Sequence, residues 1–117
     1  MGKASVASSA QPNLGEFEQL VLLALVRLRD NAYGVTIRGE IERRTGREVS
    51  IAAVYTTLDR LEKKGLVSSW TGEPTAQRGG RSKRYFKLEA AGAEALAASY
   101  RTYKGMVAGL ERVLEKL

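Results

Sequence analysis

Residues 50–65 read SIAAVYTTLDRLEKKG. Ser50 has the short hydroxyl side chain that caps a helix N-terminus by accepting a backbone N–H, and Gly65 is the residue that ends one by entering the left-handed region. Between them the spacing predicts a helix. At about 100° per residue, Val54, Leu58 and Leu61 gather on one side, and Ala52, Thr56, Asp59, Arg60 and Lys63 lie opposite, with Tyr55 on the flank. One face is built for a core and the other is left for water or a partner. Tyr55 can be read two ways, as a cover for the edge of the core or as a group that reaches into the partner.

The neighbouring segments say what kind of fold holds this helix. Upstream, residues 14–29, LGEFEQLVLLALVRLR, are good helix formers with apolar groups nearly all round, so this first helix must be covered on more than one side. Asp30 and Asn31 make a turn, and YGVTIRGEIERRTG gives a second helix over Tyr33 to Thr45, with Val35 or Ile37 and Ile41 at helical spacing before Gly46. Downstream, LVSSWT and SKRYFKL are strand-like and are joined by GEPTAQRGGR, which predicts a hairpin with a long tip. Residues 89–117 read as one last helix. Their apolar positions, Ala93, Leu96, Tyr100, Tyr103, Val107, Leu110, Leu114 and Leu117, step alternately by 3 and 4 along the seam of a coiled coil, weakened locally by Gly105 and Gly109. Residues 1–13 are small and polar, and are expected to form a disordered arm.

Composition removes several function classes. The 117 residues include no cysteine and no histidine, so disulfides, thiolate chemistry, the commonest general base and the commonest soft metal ligands are all missing. No catalytic residue, metal site or cofactor is expected. No apolar stretch approaches the roughly 20 residues of a membrane span, and the opening residues lack the apolar core of a signal peptide, so a cytoplasmic protein is expected. The formal net charge is +6, and the excess is concentrated in residues 78–87, RGGRSKRYFK, where Arg78, Arg81, Lys83, Arg84 and Lys87 meet no acid. A local basic patch on an otherwise balanced chain points to a polyanion. Arg43, Arg44 and Arg47 are interleaved with Glu40, Glu42 and Glu48 and read as a solvated face instead. The spacing from Gly72 to Gly79 does not fit a phosphate-binding P-loop.

Two helices joined by the four residues 46–49 and followed by a basic hairpin have the order of a winged helix-turn-helix. The expected fold is mainly α with a small β-hairpin wing. Residues 14–88 form the DNA-binding domain and 89–117 a C-terminal dimerisation helix. The third helix would enter the major groove by its first turns, with Ser50, Ala52, Tyr55 and Thr56 near base edges and Arg60 and Lys63 toward phosphate. In the wing, Gly79 and Gly80 let the backbone approach DNA while Arg78, Arg81, Lys83 and Arg84 supply cations. Strand alternation puts Lys83, Tyr85 and Lys87 on one side and Arg84, Phe86 and Leu88 on the other, with Phe86 and Leu88 in the core. A dimer is expected to bury Leu20 and Leu23 of the first helix with Leu96, Tyr100, Tyr103, Val107, Leu110, Leu114 and Leu117 of the last. Tyr100 and Tyr103 are then packing residues. The alternative is a winged helix that binds protein or RNA.

Four blocks in order, LGEFEQLVLLAL, AYGVTIRGEIERRTG, SIAAVYTTLDRLEKKGLV and GEPTAQRGGRSKRYFKLEAAG, resemble the PadR family of bacterial transcriptional regulators. The resemblance runs from Leu14 to about Ala95. It implies a dimeric winged helix-turn-helix repressor that binds a palindromic operator, is released by a small-molecule effector, and packs its single short C-terminal helix on the partner's first helix. It also implies DNA contacts from Tyr33, Ser50, Tyr55, Thr56, Arg81 and Lys83. Ala52 stands where the family often has glycine. The multidrug-sensing relatives carry a tryptophan in the dimer pocket, whereas the one tryptophan here, Trp70, falls in the hairpin.

Overall fold

The computed structural model describes residues 13–73 and 82–117. Of the expected arm only Asn13 falls within these ranges, and Arg78, Gly79, Gly80 and Arg81 of the basic loop lie outside them. The chain forms helix α1 (Glu16–Leu28), a 3-10 turn (Arg29–Asn31), α2 (Gly34–Thr45), α3 (Ile51–Lys63), strands β1 (Val67–Thr71) and β2 (Arg84–Leu88), then α4 (Ala90–Val107) and α5 (Glu111–Lys116). This is the mainly helical winged helix-turn-helix with a two-stranded wing that the sequence predicts.

Each boundary has a local cause. Gly15 caps α1, and Glu18 reaches back to accept the Gly15 N–H at 2.9 Å. Tyr33 caps α2, and its N–H donates to the Thr36 hydroxyl at 3.0 Å. Ser50 caps α3 as expected, its Oγ accepting the Ala53 N–H at 3.0 Å. At the far end of α3, Gly65 takes a left-handed φ of 77°. Its N–H donates to the Glu62 carbonyl at 2.9 Å and that of Leu66 donates to the Leu61 carbonyl at 3.0 Å. This pair of bonds is a Schellman turn, and it delivers buried Leu66 from the end of the helix directly into β1.

The core is one cluster with a contribution from every layer. Val21, Leu22 and Leu25 of α1 meet Ile37 and Ile41 of α2, Val54, Leu58 and Leu61 of α3, and Leu66, Val67 and Phe86 of the hairpin. Of the two candidates on α2, Ile37 is the buried one, and Val35 is 57% exposed. The strands pair antiparallel from Val67↔Leu88 to Thr71↔Arg84. A further rung joins Tyr33 to Tyr85, and the Phe86 N–H donates to the Ala32 carbonyl at 2.9 Å, so the hairpin is sewn to the start of α2. Phe86 is fully buried and Leu88 packs half-buried against the core, as the alternation predicts.

The C-terminal region differs from the sequence expectation. A single seamed helix over 89–117 is replaced by α4 and α5, with Ala108 to Leu110 between them and Gly109 at φ 87°. Glycine enters that conformation without steric cost, so here it ends α4, whereas Gly105 stays within the helix. The seam of Ala93 to Val107 therefore does not run on unbroken through Leu110, Leu114 and Leu117. Only the start of α4 is anchored. Gly92 lies against the Leu66 carbonyl so closely that a Cβ would collide with it, and Ala95 is buried. From Tyr100 onward the helix projects, with Tyr100, Tyr103 and Met106 exposed.

Glu18 is buried with its side chain 8% exposed, and Lys64 just past α3 donates to its carboxylate at 2.9 Å. Burial alone would raise its pKa, but the Gly15 N–H and the Lys64 ammonium outweigh that, and the carboxyl is held below its ordinary 4.5. A group whose folded pKa is depressed stabilises in its ionised form, so the contribution is complete above the ordinary value and fades as the pH falls through it. Glu18→Gln should therefore melt below the parent protein at neutral pH, and the gap should begin to narrow near the ordinary 4.5 and close as the pH falls through the lowered folded value. Thermal unfolding at a series of pH values checks this.

Candidate nucleic-acid interface

Helix α3 shows the division of faces read from its spacing. Val54, Leu58 and Leu61 are fully buried, while Ala52, Thr56, Arg60 and Lys63 are exposed together with Ser50 at the cap. Neither Arg60 nor Lys63 forms an ion pair among the described residues. The helix thus offers a small first turn, a threonine hydroxyl and then two cations. That gradient suits a groove entered by the N-terminal end with phosphate further along.

Tyr55 has a structural job as well as an exposed ring, being 36% exposed. Its ring lies over Gly34, where any Cβ would collide with it, and tilts toward Phe86 with the centroids 6.5 Å apart. Gly34 is the position that spacing did not single out, because the demand for a glycine comes from another helix. Tyr33, next to it, is half-buried at the cap of α2 and meets Tyr85 edge to face at 5.4 Å. The Lys83 ammonium sits 5.2 Å from the centre of the Tyr33 ring. The fold therefore brings Tyr33, Tyr55 and Lys83, which are far apart in sequence, to one side of the molecule. Arg78 and Arg81 lie outside the described residues.

Several other charges of the wing and helices are held by partners within the chain. Arg84 shares a strand face with Phe86 and stacks over that ring at 4.8 Å, while its guanidinium pairs with Glu62 at 2.6 Å and Asp59 at 3.5 Å. It ties the wing to α3. Arg43 and Arg44 both bind Glu40, the second at 2.8 Å, and Arg47 holds Glu16 through both carboxylate oxygens at 2.9 and 3.0 Å. The Arg44 hydrogen bond, outweighing burial, keeps the Glu40 carboxyl below its ordinary range, with Arg43 adding to the effect. Glu42 accepts the Val49 N–H at 2.9 Å and so closes the turn between α2 and α3. The arginines interleaved along this face thus pair within the chain while staying exposed, as expected of a solvated face. Their three- and four-residue spacing was the available signal.

A capped helix with a polar outer face, set by a short turn beside a sister helix and flanked by a hairpin that carries a free lysine, defines a winged helix-turn-helix DNA-binding protein. Residues 22–98 match the profile of the Transcriptional regulator PadR-like family, and the chain belongs to that family. It is accordingly a DNA-binding transcription regulator and not an enzyme. The fold is similar to that of a PadR family transcription regulator from Clostridium difficile, with TM-score 0.67 and 22% identity over 86% of this chain and 99% of that one. A PadR-like transcription factor from Bacteroides fragilis gives TM-score 0.68 and 19% identity over 95% and 98%. A PadR-like transcriptional regulator from Bacillus cereus gives 0.65 and 21% over 86% and 92%. No curated protein sequence is significantly similar to the chain.

Thr56 is exposed and touches no part of the core. Thr56→Ala should leave the thermal midpoint nearly unchanged and alter the preferred base at one position of the bound site, by about 1 to 3 kcal/mol of discrimination. Selection of binding sites with the two proteins in parallel reads the change. An identical consensus would remove Thr56 from the groove.

Proposed function

We propose that the protein is a homodimeric repressor that holds a two-fold symmetric operator with paired α3 helices and wings, and is released by a small molecule bound between its subunits. One observation carries the reading. The exposed large apolar side chains of α1, α4 and α5 are Leu23, Val26, Tyr100, Tyr103, Met106, Val113 and Leu114, and they avoid the polar outer face of α3. Leu23 and Val26 of α1 and Tyr100 and Tyr103 of α4 line an open groove of about 650 Å³ together with Leu96 and Ala97, while Met106, Val113 and Leu114 lie outside it. Leu20 and Val107 are half-buried beside this surface, and Leu110 and Leu117 are exposed beyond it. A second copy laying its own α4 into the groove covers the stripe on both chains. Each of these side chains gains about 1.5 to 3 kcal/mol when fully buried, against an association cost of roughly 4 to 15 kcal/mol, so the contributions of α1 and α4 are both needed.

Two-fold symmetry would set the two α3 helices about 34 to 36 Å apart, in successive major grooves. Ser50, Ala52, Tyr55 and Thr56 then face bases, and Tyr33, Arg60, Lys63, Arg78, Arg81 and Lys83 face the backbone or the minor groove. A dimer seated in this way excludes other proteins from the duplex it covers, which is repression by occlusion. An effector that wedges the groove changes the spacing of the two α3 helices. Trp70 is in the wing, so the groove lacks the tryptophan of the multidrug-sensing relatives, which argues against an aromatic drug as the effector. A cytoplasmic location fits action on DNA; among the described residues no helix is long and apolar enough to cross a membrane.

Leu23→Lys is the decisive variant, because Leu23 is 45% exposed and a charge there leaves the monomer core intact. Sedimentation should show a monomer in place of a dimer, and affinity for a two-fold symmetric duplex should fall at least a hundredfold while the thermal unfolding transition survives. A dimer that still binds tightly would refute the arrangement.

A further inference from the structure

The outward face of the wing carries a row of aromatic rings, Trp70, Tyr85 and Tyr33, of which the DNA-binding surface described above uses only Tyr33. Trp70 and Tyr85 face each other across β1 and β2 and stack with their centroids 5.5 Å apart and their planes 19° from parallel. Tyr85 meets Tyr33 edge to face at 5.4 Å, and the Lys83 ammonium lies 5.2 Å above Tyr33. The row is seated from below. A Cβ on Gly72 would come within 2.6 Å of the Tyr85 ring, so the glycine lets the ring lie flat on the backbone. The Gly72 N–H donates to the Lys83 carbonyl at 2.8 Å, which fixes the main chain of the lysine in the same place. Lys83 is half-buried as a result, and no acid pairs with it among the described residues.

We propose that Trp70 and Tyr85 are positioning residues for Lys83: the stacked pair holds the Tyr33 ring, and that ring holds the ammonium where the DNA backbone arrives. A lysine side chain is a point charge on a flexible four-carbon stem. A cation within about 6 Å of an aromatic face is attracted to it, and a side chain held in its bound geometry loses less freedom on association. Trp70 itself need not touch DNA for this. Its indole, 41% exposed, stabilises the row from the outer edge of the sheet. The inference rests on the reading of the wing as a DNA-binding element with Lys83 at a phosphate.

The test is a double-mutant cycle on the full chain, with affinity for a selected duplex measured by fluorescence anisotropy of labelled DNA. Trp70→Ala should weaken binding about three- to tenfold in the parent, the cost of ordering one long side chain, and should have no further effect once Lys83→Ala is present. Trp70→Phe should restore the parent affinity. Should Trp70→Ala fail to fold, Trp70→Val carries the same test, since it keeps an apolar strand residue and removes the ring. An equal loss from Trp70→Ala with and without Lys83, or no loss at all, overturns the positioning role and leaves the DNA-binding reading standing. If Lys83→Ala itself binds as the parent does, with an unchanged dependence on salt, the assignment of Lys83 to phosphate falls and the positioning role falls with it.

Discussion

The placement of Phe86 is the constraint on which the rest of the surface depends. Its side chain is fully buried, its N–H is bonded to the Ala32 carbonyl, and its ring is bordered by Tyr55 on α3 and capped by the Arg84 guanidinium. A two-stranded hairpin is marginal on its own in water. Here the hairpin gains a further bridge, from Tyr33 to Tyr85 of β2, and a core beneath it, so the wing holds one orientation relative to α2 and α3. Replacing Phe86 with a smaller residue would leave a cavity under the wing and also remove the surface on which Arg84 bridges to Asp59 and Glu62. The positions of Lys83 and Tyr33 relative to Thr56 follow from that single anchor.

The same core leaves apolar surface over. Helix α1 spends Val21, Leu22 and Leu25 on its own domain and turns Leu23 and Val26 outward, and α4 contributes Gly92 and Ala95 to the domain before it projects into solvent. A chain this short cannot cover so long a helix by itself. The division of labour is therefore spatial. One end of the molecule is polar and cationic, suited to a duplex, and the other is an uncovered apolar groove suited to a copy of itself. The left-handed Gly109 sets α5 off from α4, so its apolar residues leave the line of the α4 seam.

Much of this was legible in the sequence because the physics was local. The Ser50 cap, the Gly65 stop, the buried stripe of Val54, Leu58 and Leu61, and the inward turn of Phe86 each follow from spacing and residue type alone. What the sequence did not disclose depends on neighbours distant in the chain. Gly34 is a glycine because Tyr55 lies on it, Gly92 because the Leu66 carbonyl does, and Gly72 because Tyr85 does. Glu18 joins α1 to the end of α3 across 46 positions, and Arg84 pairs with acids on another helix. The seven-residue seam was misleading for a related reason. Apolar periodicity reports which side of a helix is buried, but it does not report whether a glycine within it will keep the helical conformation.

The central claim is that one fixed pairing of α3 with the wing, duplicated by a two-fold axis through α1 and α4, reads DNA. Selection of tight-binding duplexes from a random pool by the unmodified protein tests it most directly. The account predicts an inverted repeat whose half-sites are centred one helical turn apart, about 10 to 10.5 base pairs, or a whole multiple of that. Recovery of a single unrepeated half-site, or of direct repeats, would contradict it.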